Sequence, residues 1–466
     1  MPRFFVETLG CPKNAVDSDK IVASLLADGL EPSATSGDAD LVVVNTCAFV
    51  EAARQESIDT ALALSDDRKP GARLVLTGCL AERYGDELAA ALPEADAVVG
   101  FAGEGSIGEV VLRGRKPTGV RDLLELARPA PSAPWAYVKV AEGCDRACAF
   151  CAIPSFRGKQ RSRAPEAIEA EVAGLVDAGV AEIVLVAQDL AWYGRDTGDP
   201  GALAPLLHRL DRLAGRGLAR VRLLYLYPSE VREPLVQTML ELPTVVPYFD
   251  LSLQHASGPL MRRMKRWGDG DRFLELVEGI RALQPDAAFR SSFIVGVPGE
   301  RERDHDTLLA FLTAARLDWA GFFPFSSEDG TAAATMDGTV APELAAERLR
   351  ECSALQDPVT RDARDALVGS AVEVLVDGID RDDSRGPHDP HGPDDPDGEA
   401  EVHGGGPVLV GRTHREAPEI DGVVRLAGAG FARPGAVVTA EVTGAVGPDL
   451  EARALVPASA GRCDPS

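Results

Sequence analysis

Along the first hundred residues, short apolar runs alternate with stretches of helical periodicity. RFFVETLG is followed by DSDKIVASLLADGL, LVVVNTC by EAARQESIDTALAL, and RLVLTGC by AERYGDELAAAL. The runs are short and rich in Val and Leu, while the stretches between them repeat apolar residues three and four apart. Strand followed by helix, repeated in this way, predicts a parallel sheet covered by helices. Residues 101–134, with GEGSIG, LRGRKPTG and ARPAPSAP, read as a linker rich in Gly and Pro. Beyond it WAYVKVA, EIVLVAQ, VRLLYLY, FDLSLQ, FRSSFIV and DWAGFFPF are six apolar runs with helical patterns between them, spaced like the units of a β/α barrel. Six units rather than eight predict an incomplete barrel, open on one side to a large or flexible substrate. A helical run, PELAAERLRECSALQDPVTRDARDAL, leads out, and VEVLVDGI, PVLVGRT, GVVRLAG and AVVTAEVTG predict the short strands of a small β-barrel. The expected fold class is α/β in three parts: a parallel α/β sheet domain over 1–125, a partial six-unit barrel over 130–365, and a small β-barrel over 366–456.

Composition sharpens this picture. A chain of 466 residues has room for several cores. Its formal net charge of -25 opposes a phosphate backbone, so nucleic-acid contact is possible but not expected to dominate, and a basic protein partner fits better. Part of the charge is local: DRDDSRGPHDPHGPDDPDGEAE, residues 380–401, carries nine acidic and two basic side chains and has nothing apolar to bury. The expectation for 380–406 is a solvated, disordered insertion in the last domain. The opening MPRFFVETLGCP lacks the pattern of a signal peptide, and no run approaches the ~20 apolar residues of a membrane helix, so no membrane contact and a cytoplasmic location are expected. In a reducing compartment, clustered cysteines point to metal ligands or catalytic thiols rather than disulfides.

Three of the eight cysteines fall in one stretch, EGCDRACAFCAIP, at Cys144, Cys148 and Cys151. It follows the first strand of the expected barrel, on the face where such barrels carry their chemistry. Zinc sites favour paired ligands with a fourth Cys or His at short spacing, which this loop does not offer, although a distant residue could complete one. Three thiolates on a tight loop suit an iron-sulfur cluster, which usually takes four. A cluster held by three leaves one iron open to another ligand. Three buried thiols spaced by chance are the remaining alternative. Cys11, Cys47 and Cys79 each stand one to three residues past the carboxyl end of an expected strand, the edge at which open α/β sheets bind ligands. Taken alone they are either a second ligand set or three unrelated buried cysteines. Cys352 and Cys463 have no partners in sequence.

C-D-R-A-C-A-F-C, with Phe150 in the aromatic place, resembles the C-x3-C-x-aromatic-C motif of the radical SAM superfamily. LGCPKNAVDSD, NTCAFVEAARQESI and TGCLAERYGDEL resemble the amino-terminal domain of its methylthiotransferases, which end in a small β-barrel called TRAM. The resemblance covers nearly the whole chain. It implies two 4Fe-4S clusters: one on Cys144, Cys148 and Cys151 that binds S-adenosyl-L-methionine, and an auxiliary one on Cys11, Cys47 and Cys79. AQDLAWYGRD, LYLYPSEV and above all GRTHREAPEIDGVV look like the RimO branch, which modifies an aspartate of small-subunit ribosomal protein S-twelve. Charge agrees, since residues 407–466 hold six Arg, no Lys and seven Asp or Glu, a poor footprint for tRNA. The implied reaction replaces a C–H bond at the β-carbon of aspartate with C–S–CH3, one S-adenosylmethionine serving as methyl donor and one as radical source. That bond has no useful acidity, so a radical rather than a general base is the fitting reagent. Methylthiolation of a tRNA adenosine is the competing enzyme reading. From another class, a non-catalytic iron-sulfur protein that binds ribosomal components is the third. The reductant protein is not legible.

Around the first cluster, the resemblance and the strand ends suggest cofactor contacts at Phe150, Gln188, Asp189, Gln254, His255 and Arg290, because the charged end, ribose and adenine of the cofactor need polar partners. Strand-end polar residues also cap helices and satisfy loop backbones. Arg157, Arg161 and Arg163 in FRGKQRSR face substrate or cluster, or form a solvated basic patch. The chain departs from the family pattern in FSSEDGTAAATM, in Ser252 where proline is common, in Glu416 where aspartate is usual, and in the insertion. Glu416 and the insertion bear on how the last domain docks its target.

Overall fold

A computed structural model describes residues 1–109, 122–126, 128–379, 408–430 and 432–455; the acidic insertion and Cys463 lie outside them. The amino-terminal sheet contains β1 (Arg3–Thr8), β2 (Glu31–Pro32), β3 (Leu41–Thr46), β4 (Arg73–Gly78) and β5 (Ala97–Val98), all parallel, in the order β2-β1-β3-β4-β5. Every residue of β3 is buried, as expected of a central parallel strand written as a continuous apolar run. Helices α1 (Pro12–Ala27), α2 (Glu51–Asp67) and α3 (Cys79–Ala91) follow β1, β3 and β4. The edge strands β2 and β5 span two residues each, too short to leave a periodic signal.

The linker read from Gly and Pro is packed where it is described. Phe101–Ser106 and Leu123–Glu125 form 3-10 turns, and Glu104, Ser106 and Leu124 are buried. The Lys20 ammonium donates to the Leu124 carbonyl at 2.7 Å and the Ser24 hydroxyl to the Gly105 carbonyl at 2.7 Å, fastening both turns to α1. Gly and Pro here mark irregular backbone, not exposure.

Next come β6 (Trp135–Lys139), the short β7 (Ala141–Glu142) and β8 (Arg161–Ser162), then β9 (Glu182–Val186), β10 (Arg220–Leu223), β11 (Tyr248–Gln254), β12 (Ala288–Val295) and β13 (Trp319–Pro324). β6, β9 and β10 pair in parallel, as do β11, β12 and β13; bridges at Val221–Val245 and Leu226–Leu251 join the halves. These are the six expected runs, and β6 and β13 are not paired. Inside the curve, Tyr137, Val184, Val186, Leu224, Tyr248, Ala288 and Trp319 pack with Val16 of α1 and with Ala417. Lys139, the last residue of β6, pairs with Asp17 of α1, so α1 covers the carboxyl mouth. Trp319, the first residue of β13, donates to the Arg415 carbonyl at 2.7 Å, so the segment around Ala417 plugs the opposite end.

The long helix Pro342–Asp365 leads to a closed barrel of β14 (Ala371–Ile379), β15 (Leu409–Arg412), β16 (Val424–Ala427), β17 (Val437–Val446) and β18 (Asp449–Ala454), in the order β14-β15-β16-β18-β17. The sequence pattern missed β18, because DLEARA alternates with only Leu450, Ala452 and Ala454 facing inward. The GRTHREAPEIDG segment is an internal joint. Arg412 pairs with Glu182 at 2.8 Å, Glu182 with Arg222 at 2.8 Å, and buried Glu416 accepts from Thr413 and from Arg364. Among the described residues no helix is long and apolar enough to cross a membrane.

Candidate active site

β1, β3 and β4 are neighbours, so the turns that follow them bring Cys11, Cys47 and Cys79 to one sheet edge. Cys11 precedes the first turn of α1, Cys47 follows Thr46 directly, and Cys79 opens α3. Gly78 makes the last turn possible: its φ is +86°, and a Cβ there would stand 2.3 Å from Asn45 Oδ1 and 2.6 Å from the Thr46 carbonyl. Asn14 ties the turns together, its amide donating to the Leu9 carbonyl at 2.9 Å and the Thr46 carbonyl at 3.0 Å. Burial pushes the Cys79 thiol up to about 12 and raises that of Cys47. Burial works the same way on Cys11, but the charges of Lys13 and Arg157 outweigh it and hold that thiol below its ordinary value. Lys13 and Arg157 thus bring two positive charges to this edge, which favour the thiolate form of its cysteines against the cost of burial.

Cys144, Cys148 and Cys151 sit on the loop between β7 and β8, whose antiparallel pairing closes its base. The Cys144 N–H donates to the Gly158 carbonyl at 3.0 Å, and the Ala149 N–H to the Met264 carbonyl at 2.9 Å. Gly143 has φ +76°, and a Cβ on it would fall 2.1 Å from the Lys159 carbonyl oxygen. Burial pushes Cys144 up to about 11 and Cys151 up to about 12, while the Arg266 guanidinium lies 3.4 Å from Cys148 Sγ. Among the described residues, no three or more His, Cys, Asp and Glu side chains gather as a site for a single metal ion. A cluster makes no such demand, because each thiolate holds its own iron.

Arg157 links the two sets. It is buried six residues past Cys151, and its guanidinium reaches Cys79 Sγ at 3.1 Å, Asn14 Oδ1 at 2.8 Å and Glu142 at 2.8 Å, with Asp17 at 3.4 Å. Lys139 bridges the same two carboxylates, Asp17 and Glu142. Of the three arginines in FRGKQRSR, Arg157 therefore faces a cysteine, Arg163 is buried against Glu171 at 2.8 Å, and Arg161 is exposed beside Asp122. A guanidinium in that stretch was visible in the sequence; its reach into the other domain was not.

At the end of β9, Gln188 donates to Glu142 at 2.8 Å, and Asp189 accepts from Arg146 Nε at 2.6 Å. Gln188 Oε1 and Asp189 Oδ1 are buried with no partner. Phe150 is half-buried against the main core. Gln254 ends β11 with φ +74°. His255 is fully buried, its Nδ1 accepting from the Ser257 N–H at 3.0 Å, and burial lowers it to about 3. Arg290 lies inside the barrel, paired with Asp250 at 3.0 Å and with Asp421 at 3.4 Å. Cys352 is buried in the main core. Sequence reasoning missed Glu328, which pairs with Arg54 and Arg83 of the first domain, and Lys13 and Tyr225, which meet at the barrel mouth. The glutamate was visible in FSSEDG and the lysine in LGCPKN, but neither pattern tells what they face.

Three family models match the chain: Uncharacterized protein family UPF0004 over residues 3–100, the Radical SAM superfamily over 138–312 and the TRAM domain over 397–455. The chain is 42% identical over 488 residues to the ribosomal protein uS12 methylthiotransferase RimO of Saccharopolyspora erythraea, an alignment covering 97% of this chain and 95% of that protein. It is also 42% identical to the protein of the same name from Kineococcus radiotolerans, with 97% of each covered. Among solved structures, the radical S-adenosylmethionine methyltransferase TsrM of Kitasatospora setae, with cobalamin and a [4Fe-4S] cluster bound, shares the fold at TM-score 0.53 and 14% identity, covering 71% of this chain and 76% of that one.

Proposed function

Because the chain belongs to the RimO family of ribosomal protein uS12 methylthiotransferases, we propose that it transfers a methylthio group to the β-carbon of an aspartate in uS12, the small-subunit protein S-twelve. The observation that carries this is the near-full-length match to those relatives, joined to two thiol triads at strand ends with one arginine between them. Cys144, Cys148 and Cys151 hold one 4Fe-4S cluster, and Cys11, Cys47 and Cys79 hold the auxiliary one. The donor sets suit the groups: soft thiols, three to a site, with cations beside them. Gln188 Oε1 and Asp189 Oδ1, buried without partners at the end of β9, suit the ammonium and hydroxyl groups of S-adenosylmethionine. When bound, these cofactors supply a carbon-centred radical and a methylthio group, the chemistry an unactivated C–H bond needs.

The chain's own residues then have distinct tasks. Arg157 and Lys139 neutralise Asp17 and Glu142 where α1 meets the barrel, which keeps the two cysteine sets in register. Glu328 fastens the first domain to the far side of the barrel through Arg54 and Arg83. α1 covers the mouth and excludes water from the reacting centre. The enzyme is cytoplasmic, draws electrons from a separate reductant, and meets uS12 by charge complementarity with its acidic surface.

Mass spectrometry of uS12 from a strain lacking this gene should show loss of a CH2S increment on one aspartate. If the increment persists, or if methylthio-adenosine disappears from tRNA instead, the assignment fails.

A further inference from the structure

α1 turns one face to its own sheet and another to the barrel. Lys13, Val16, Asp17 and Lys20 follow helical spacing, and all four are buried. Asp17 pairs with Lys139, and Lys20 with Glu171 at 3.4 Å. Lys13 is the exception among these charged residues. It is 8% exposed, and among the described residues no carboxylate pairs with its ammonium and no hydrogen bond is made to it. The ammonium lies instead over the ring of Tyr225, 3.6 Å from its centroid. Nearby carboxylates are engaged elsewhere: Asp17 by Lys139 and Arg157, and Asp250 by Arg290 and by the Tyr225 N–H at 2.9 Å.

Holding an ammonium on a largely buried side chain with no carboxylate beside it is costly, and a fold retains one where an anion arrives later. Tyr225 carries the same mark, since its φ of +64° is strained for a residue with a side chain, and the Asp250 hydrogen bond holds it there. Its ring stands at the end of β10, in the mouth covered by α1, and its hydroxyl has no hydrogen-bond partner among the described residues. The place is two residues from Cys11 along the chain and within electrostatic reach of Cys11 and Cys47.

We propose that Lys13, seated on Tyr225, is the residue that binds the side-chain carboxylate of the target aspartate and so selects an acidic residue for modification. This rests on the reading of the chain as a uS12 aspartate methylthiotransferase. The chemistry fits, because the β-carbon is bonded directly to the carboxylate carbon. Anchoring the carboxylate beside Cys11 therefore sets the reacting carbon two bonds from the held oxygen, next to the site from which the methylthio group is delivered. A neutral base or amide would accept a hydrogen bond from the ammonium but leave its charge uncompensated, so the same contact disfavours other targets.

The test measures binding of two forms of uS12, one with the natural aspartate and one with asparagine in its place, to the reconstituted holoenzyme before reduction. The wild-type enzyme should prefer the aspartate form by about 10- to 100-fold, the range of a hydrogen bond to a charged partner. Lys13→Met should bind both forms alike, at the affinity of wild type for the asparagine form, while Lys13→Arg keeps most of the preference. Both variants are compared at iron content and auxiliary-cluster spectrum matched to wild type. A full preference retained in Lys13→Met, or none in Lys13→Arg, overturns the proposal and leaves Lys13 as a counter-charge for the cluster alone. A wild-type enzyme that modifies no aspartate of uS12 at all overturns the functional reading instead, and the two failures are distinct.

Discussion

The two cysteine triads are assembled by opposite constructions. Cys144, Cys148 and Cys151 share one loop closed by two antiparallel residue pairs, so their relative placement is local. Cys11, Cys47 and Cys79 span 69 residues and meet only because β1, β3 and β4 lie side by side. A local site survives as long as its loop does. A site assembled from strand ends depends on sheet order, on every turn, and on what packs over the edge. The difference explains why the second set is surrounded by more support: Asn14 bridging turns, Gly78 against β3, and Arg157 reaching in from the neighbouring domain.

The largest separation between the two should come from removing one thiol at a time. Cys148→Ser should abolish reductive formation of 5'-deoxyadenosine, and with it all transfer to uS12. Cys47→Ser should spare most of that cleavage while transfer stops. Chromatography of the nucleoside products alongside mass spectrometry of uS12 decides it; parallel loss of both products in both variants would show that the triads do not act separately.

Arg157 is where the two constructions touch, so its loss should not respect the division. Arg157→Gln leaves buried Asp17 and its neighbour Glu142 with Lys139 as the one cation they share. Removing one partner from such a network costs about 3–5 kcal/mol. Urea unfolding should report a loss of that order, with iron falling at both sites. Arg157→Lys should recover only part of it, because an ammonium cannot reproduce the forked geometry that spans Cys79, Asn14 and Glu142. A cost below about 1 kcal/mol would place the network in the weak, screened regime of surface pairs.

The same contrast governs what could be read from the sequence. The loop triad was visible in the spacing alone, because its cysteines fall within eight residues, while its reading as a cluster site came from the family resemblance. The sheet-edge triad needed the strand pattern as well: continuous runs such as LVVVNTC announce buried parallel strands, and the cysteine just past each run then falls on one edge. The six barrel strands and four of the five terminal strands were legible in the same way. What escaped were contacts between distant segments. FRGKQRSR offered three arginines with nothing to tell the buried pair from the exposed one, and Glu416 looked like a variation at a docking surface but lies inside the protein against Arg364. Polarity along a chain records that a side chain needs a partner, not which partner the fold supplies.

The smallest expected effects, and the most local, come from the glycines that shape each turn. Gly78 and Gly143 both take positive φ and each directly precedes a cysteine, Cys79 and Cys144. Alanine at either is strained by the left-handed backbone, about 1–3 kcal/mol. It also meets atoms that cannot swing away: the Thr46 backbone in one case and the Lys159 carbonyl in the other. The turn must move, and the thiol it carries moves with it. Gly143→Ala should therefore lower iron and deoxyadenosine yield at the loop while leaving the auxiliary-cluster spectrum intact, and Gly78→Ala should do the reverse. The asymmetry is the informative part. Gly78 packs against Asn45 and Thr46 of the central strand, so its displacement propagates to Cys47 one residue on, whereas Gly143 presses only on the Lys159 end of its own loop. Iron loss in Gly78→Ala should exceed that in Gly143→Ala; equal losses would mean that the sheet edge is no more interdependent than the loop.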